Sequence, residues 1–319
     1  LAGGRRRAAR TMNRDSGSTT GLGRGGAWIV VALPYLFLLA LFLAPFVVVL
    51  KISLAQSVLA QPPYTALVAW AGEAGHQTLQ LQATLANYAL LLSDDLYVRA
   101  YLSSLRIAAT ATALTLLIAL PMAYGLARAP LRVRPYLLAA AILPFWTSFL
   151  IRVYAWIGIL KPEGLLNELL HWLGLIDRPL ILLNTETGVL IGIVYSYLPF
   201  MLLTLYASLE KLDYTLLEAA ADLGCRPVKA FWTITLPLAL PGVLAGVLLV
   251  FIPAVGEFVI PDLLGGSDTL MIGKTLWVEF FNNRDWPLAS AAAVLLVLLL
   301  VLPLALLQRR QVRVVETLE

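Results

Sequence analysis

The sequence predicts an all-α integral membrane protein with six transmembrane helices and both termini in the cytoplasm, and three observations carry that prediction. The 319 residues are 60% hydrophobic and only 13% charged, where a soluble domain carries about 25% charge, and the mean hydropathy is +0.83. Apolar runs of about 20 residues recur, the length at which a helix crosses a hydrocarbon core. Lys and Arg gather in alternate connections between those runs. A transmembrane barrel would instead show alternating segments of about 10 residues, a pattern this chain lacks.

Taken in order, residues 1–26 are rich in Gly, Ser and Arg and read as a disordered, basic cytoplasmic tail, with the start at either Leu1 or Met12. The run at 27–50, "AWIVVALPYLFLLALFLAPFVVVL", is the first span, with Trp28 and Lys51 as interfacial anchors. It exceeds the 7–15-residue core of a signal peptide, so it is expected to remain as an anchor. Residues 51–100 form a polar periplasmic loop, Gln-rich around "HQTLQLQATLANY". A five-helix core follows over 101–308, with spans at 101–127, 136–159, 187–209, 242–262 and 287–307. Pro34, Pro45, Pro121, Pro144, Pro199, Pro253 and Pro303 fall inside spans, which membrane helices tolerate. The outside segment 160–186 reads as a short amphipathic helix and a turn. The outside segment 263–286, with "MIGKTLWVEFFNNRDW", reads as a helix against the outer mouth. Residues 210–241 are a cytoplasmic loop and 309–319 a cytoplasmic tail.

Orientation follows from the basic residues. With the N-terminus inside, the inner segments hold Arg5, Arg6, Arg7, Arg10, Arg14, Arg24, Arg128, Arg132, Arg134, Lys211, Arg226, Lys229, Arg309, Arg310 and Arg313, which is 15 of the 23 Lys and Arg. The net charge of +4 is therefore spread over span edges and is no nucleic-acid footprint. Cys225 is the one cysteine, so no internal disulfide or Cys-based metal cluster forms. His76 and His171 have no ligand partner at helical spacing, and no metal site is expected. Nothing resembles a catalytic constellation, so no catalytic residue is assigned. Gly273-Lys274-Thr275 fails as a phosphate loop, because Asp268 stands where the first glycine is required.

One stretch stands apart. "EAAADLGCRPVKAFWTITLPLALPG", 218–242, interrupts the greasy runs with acids, bases, a glycine and three prolines. "LEKLDYTLLEAAADLG" reads as a helix that Gly224 stops, and Pro227 suits the first turn of the next. Ala219 and Ala220 offer a small face for close approach, with Glu218 and Asp222 four apart as its polar rim. A helix–glycine–helix between spans suggests docking.

These residues carry a resemblance. Glu218-Ala219-Ala220, three residues, Gly224, nine residues, Ile234, one residue, then Leu236-Pro237 matches the EAA signature of ABC-importer permeases. "LPFWTSFLIRVYAWIGIL", "GIVYSYLPFMLLTLYASLEKLDYTLLEAAADLG" and "VFIPAVGEFVIPDLLGGSDTLMIGKTLWVEFFNNRDWPLASA" resemble the polyamine branch, the putrescine/spermidine permease subunits, over about residues 85–305. The resemblance implies a type I importer permease fold in a bacterial inner membrane. It implies a coupling role for Glu218, Ala219, Ala220, Asp222 and Gly224. It also implies two ATP-binding subunits that hold ATP and Mg, a second, homologous permease subunit and an external substrate-binding protein; this chain binds no cofactor itself. The rivals are an importer of amino acids or iron, and a stand-alone secondary transporter.

The cargo site is read from charges inside spans, each of which costs about 2.5–3.5 kcal/mol to insert and so marks function. Arg152 and Glu257 lie roughly 16 and 15 residues from the inner ends of their spans, roughly 22–24 Å up at 1.5 Å per residue. Two readings stand. Arg152 and Glu257 pair with each other, or Glu257 faces the path and attracts a cation. Pro253, Gly256 and Pro261 would loosen the helix around Glu257, and Asp262 would add a second acid. Aromatics suit a polyamine's stems and ammonium groups. Trp146, Phe149 and Trp156 share a stripe of the third span; Tyr195 and Tyr197 lie in the fourth; Trp277 lies on the outer segment beside Glu279.

Overall fold

The computed structural model describes residues 32–71 and 78–316. The expectations for the 1–26 tail, Met12 and His76 lie outside the described residues. The chain divides into two units, Leu1–Lys51 and Ile52–Glu319. Described by itself, the first contributes most of α1 (Ala32–Ser53), which carries no charge before Lys51.

In the second unit, the 51–100 loop holds a small antiparallel hairpin, β1 (Val68–Ala71) with β2 (Thr78–Leu81), and α2 (Ala86–Ser93). α3 (Asp95–Arg128) starts six residues earlier than its predicted span, because the Asp94 carboxylate accepts the Leu96 N–H at 2.8 Å and caps it. α4 (Arg134–Trp146, ending in a 3₁₀ turn) and α5 (Phe149–Leu160) meet at 90°. α6 (Leu165–Trp172) and α7 (Glu186–Leu209) follow, then α8 (Thr215–Asp222) and α9 (Pro227–Val255). α10 (Val259–Leu263), α11 (Ile272–Trp277) and α12 (Trp286–Glu316) complete the order.

Among the described residues, five helices are long and apolar enough to cross a membrane, and the bent α4–α5 pair makes a sixth if it is one span. The predicted third span is thus broken. Pro144 opens the 3₁₀ turn, and Thr147 and Ser148 take extended ψ angles of 150° and 138° before helix resumes. Contacts at its two ends show where the pair runs. At one end, Arg134 bonds Glu210 at the foot of α7 and the Ala127 carbonyl at the foot of α3. At the other, the turn after α5 leads through α6 to Thr185, which caps α7, and Glu186 there pairs with Arg106 of α3. The pair therefore crosses from one end of the bundle to the other.

The core is α3, α7 and α9 in mutual contact. Without a hydrophobic drive between helices in lipid, close backbone approach through small residues holds them. α3 buries Ala111, Thr115, Ala119, Ala123 and Ala127, one every four residues. Thr115 returns its hydroxyl to the Ala111 carbonyl at 2.7 Å, so no polar group is orphaned. α9 answers with Gly242 and Gly246. A Cβ on Gly242 would stand 2.3 Å from the Ser208 Cβ, and one on Gly246 2.6 Å from the Met201 sulfur and the Thr204 hydroxyl of α7.

α9 differs from its predicted 242–262 span at both ends. It begins at Pro227 and continues past Pro237 and Pro241 through a π-helical segment at Phe231–Thr235, where the wider ring accommodates a missing N–H. It stops at Val255, short of Glu257.

Gly242→Ala forces α7 and α9 apart. It is expected to destabilise the bundle by about 1–3 kcal/mol and to lower the melting temperature in detergent, while alanine at Gly158, whose Cβ direction is open, leaves it near wild type.

Candidate functional site

Two separate features carry chemistry. At the end of the bundle marked by Arg134 and Glu210, α8 stands out as a short helix between α7 and α9. The Asp213 carboxylate accepts the Thr215 N–H at 3.0 Å and starts it. Gly224 stops it with φ +77°; the Gly224 N–H bonds the Ala221 carbonyl at 2.8 Å and the Cys225 N–H the Ala220 carbonyl at 2.9 Å, the glycine stop the sequence predicts. The predicted helix from 209 is shorter than expected, because residues 210–214 turn the chain out of α7. Tyr214 ties α8 to α3 through the Ala127 carbonyl.

α8 has two faces. Leu216, Ala219 and Leu223 are exposed, Leu223 at 88%, and Asp222 is exposed with them. On the other side, Leu217, Glu218, Ala221 and Cys225 line a cavity of about 540 Å³ together with Arg128 and Arg134. Arg128 lies 4.5 Å above the Tyr124 ring and 5.8 Å from Tyr214. Glu218 lines the cavity, and Asp222, four residues on, is exposed outside its lining. The Glu210 carboxyl is held below the usual carboxylate range, first by the Tyr206 hydroxyl and then by Arg134. Asp213 is likewise lowered, first by the Thr215 N–H and then by its hydroxyl.

The second feature is the break after α9. Glu257 sits in the gap before α10 and is 8% exposed. Its Oε1 accepts the Val259 N–H at 3.1 Å and the Ile260 N–H at 3.5 Å; its Oε2 accepts the Tyr197 hydroxyl at 2.7 Å. Gly273 of α11 touches the backbone here, since a Cβ on it would meet the Gly256 and Glu257 carbonyls at 2.4 and 2.5 Å. Pro253, Gly256 and Pro261 do flank a break, as their composition predicts.

Glu257 and Arg152 are not paired. The carboxylate is satisfied by neutral donors, and among the described residues it has no ion pair. The Arg152 guanidinium lies 5.0 Å from the Phe145 ring and 5.8 Å from Phe149, with Nε and Nη1 buried and without a hydrogen-bond partner. Rings separate the two charges: Phe145 meets Phe200 edge-on at 4.9 Å, Phe200 meets Tyr197 at 6.2 Å, and Tyr197 bonds Glu257.

The remaining sequence candidates divide. Asp262 faces Lys274 at 3.5 Å. Trp277 stacks on Phe258 at 4.6 Å and 10°, next to Glu257, and contacts Phe281 at 4.1 Å. Glu279 is engaged by the Tyr97 hydroxyl and the Asn283 amide, both at 2.8 Å. Trp156 packs edge-on against Tyr195 at 5.3 Å. Trp146 is 85% exposed at the bend and joins none of these ring contacts. Sequence reasoning missed Phe145, Phe200, Phe258, Gly273 and Lys274. Only Phe258, adjacent to Glu257, carried a local signal.

The family described as the binding-protein-dependent transport system inner membrane component matches residues 115–316. Over 226 residues the chain is 47% identical to the spermidine/putrescine transport system permease protein PotB of Salmonella typhimurium strain SL1344, covering 71% of this chain and 78% of that protein. PotB of Escherichia coli K12 is 48% identical over 217 residues, covering 68% and 78%. A crystal structure of a bacterial alginate ABC transporter, in complex with an alginate pentasaccharide-bound periplasmic protein, superposes with a TM-score of 0.63 at 16% identity, over 87% of this chain and 92% of that one. That likeness concerns the fold.

Two outcomes follow from this geometry. In a thermal-unfolding double-mutant cycle, Tyr197→Phe and Glu257→Gln should couple by about 0.5–3 kcal/mol, whereas Arg152→Gln and Glu257→Gln should add within about 0.5 kcal/mol. The Arg134–Glu210 link should be constant from pH 8 to 5. A carboxyl lowered in the folded state adds stability above its unfolded value of about 4, and that stability is lost only as pH falls through the lowered value. The mobility of a nitroxide on Cys225 would report the loss.

Proposed function

The chain belongs to the binding-protein-dependent transport system inner membrane component family, and we propose that it is the permease subunit of an ATP-driven importer of polyamines, putrescine or spermidine. The observation that carries this reading is the match of 47% identity over 226 residues to spermidine/putrescine permeases. It is a multi-pass membrane protein, and its setting is a bacterial inner membrane. It has six spans, with the α4–α5 pair as the broken third and both termini inside. α8 then lies on the cytoplasmic face, and the break at Glu257 lies toward the outside.

In this reading a binding protein delivers the polyamine to the outer mouth. Two ATP-binding subunits hold ATP and Mg, and one docks on α8; a second, homologous permease completes the path. The exposed Leu216, Ala219 and Leu223 offer the docking surface, and the αL turn at Gly224 sets the angle between α8 and α9. Because α8 is tied to α3 through Tyr214, a push on it reaches the core directly. An ATPase that binds the inward and outward states with different affinity shifts their balance.

Glu257 supplies the anion for a cationic cargo. Its present partners are neutral donors, so an arriving ammonium meets a carboxylate with no competing cation. At 4 Å and an effective dielectric of 20, that attraction is about 4 kcal/mol. Tyr197 and the Phe258–Trp277 stack present ring faces worth about 0.5–2 kcal/mol each to an ammonium. Asp262, held by Lys274, and Glu279, held by Tyr97, add negative charge around the mouth, and Trp146 serves another surface.

In liposomes carrying the whole transporter, Glu257→Gln should abolish putrescine and spermidine uptake while assembly stays normal, and adding Arg152→Gln should not restore it. Excess unlabelled polyamine should block uptake; block by Fe(III) or amino acids instead would replace the cargo. Leu223→Glu should remove the ATPase from the purified complex without unfolding the permease, as judged by its melting temperature.

A further inference from the structure

The helix α6 serves neither feature. Gly164 turns the chain back tightly on the end of α5, where a Cβ would meet the Gly158 and Ile159 carbonyls at 2.6 Å. Asn167, 3% exposed, then locks the hairpin. Its amide donates to the Lys161 and Leu180 carbonyls at 3.2 and 3.0 Å and accepts the Leu180 N–H at 2.8 Å. This clamp fixes which face of α6 points inward. The opposite face presents Leu165, Leu169, Trp172 and Leu173, spaced i, i+4, i+7 and i+8, and all are exposed, Trp172 at 81%. Leu175 and Ile181 are exposed on the return segment. A rigid hairpin that holds out several large apolar side chains marks an interaction surface.

We propose that this face lies in the bilayer interface, with α6 parallel to the membrane at the end of the bundle opposite α8. Connectivity supports lipid as the occupant. Only four residues separate α6 from Leu160, so α6 starts within about 18 Å of the end of the α5 half-span. α5 itself exposes Ile151 and Tyr154, a surface that continues the lipid-facing side of the spans. The composition fits as well. A Trp sits on the apolar stripe, where interfacial rings gather, and the exposed Lys161 and Arg178 flank the hairpin at headgroup level, while Glu168 and His171 stay off the stripe. Such a helix anchors the outer end of the bent pair, whose break leaves α5 only 12 residues long. The inference rests on the chain spanning a membrane and is independent of its cargo.

The test uses the assembled transporter in phospholipid nanodiscs, with Cys225→Ser and a single nitroxide placed at Leu169→Cys or at His171→Cys. At 169, accessibility to oxygen relative to a water-soluble nickel chelate should be several-fold higher than at 171. Equal nickel access at both sites would overturn the proposal in favour of an aqueous face. Protection of 169 from both reagents would overturn it in favour of a protein partner, such as the binding protein or the second permease. As a check on the fold, Trp172→Phe in otherwise unmodified protein should remove part of the quenching by brominated lipids and leave uptake unchanged.

Discussion

Close packing of α3, α7 and α9 through small residues is the constraint on which the rest of the structure depends. Lipid gives helices no hydrophobic reason to associate, so they must approach closely or not hold. Gly242 and Gly246 leave room that a single methyl group on each would fill, and the alanine row of α3 does the same on the other side. With that triple contact fixed, the ends of the three helices become fixed points. Arg134, Tyr214 and Glu210 hang α4 and α8 from one end, and Thr185 with the Arg106–Glu186 pair sets the other.

Both candidate features lie where a helix is interrupted. Backbone polar groups at membrane depth tolerate a break only where protein or a cavity satisfies them. The gap after Val255 meets this condition by making Glu257 the cap of α10, so the carboxylate that would attract a cation is also a structural acceptor. Gly273 closes the gap from behind. The break at Thr147 and Ser148 turns the third span, and the turn at 210–214 frees α8 from α7. Each break sits beside proline or glycine or between two helices of different partners.

The two intramembrane charges have different fates. Glu257 accepts hydrogen bonds from the Tyr197 hydroxyl and two backbone N–H groups, all neutral donors. Arg152 rests on aromatic faces, with two donors sealed and unpaired. The row Phe145, Phe200 and Tyr197 keeps the two charges apart.

The long apolar helices and the short helix α8 with its glycine stop were legible because each is a local property. Twenty apolar residues, a basic flank, or Glu218-Ala219-Ala220 ahead of Gly224 are short-range patterns with short-range causes. The Gly224 stop followed from sequence for the same reason, since its positive φ is decided within one turn. Helix ends were less legible. α9 ran through Pro237 because the π-helical segment just before it absorbed the lost N–H, and α3 began early because Asp94 capped it. Partners across the fold were not legible at all. Glu257 found Tyr197 sixty residues away, Asp262 found Lys274, Glu279 found Tyr97, and Glu218 turned toward a cavity that Asp222 does not share. Sequence alone therefore determined which residues form the long apolar helices and where α8 stops. Only tertiary structure decided which charge meets which donor, because that depends on how closely small residues let α3, α7 and α9 approach.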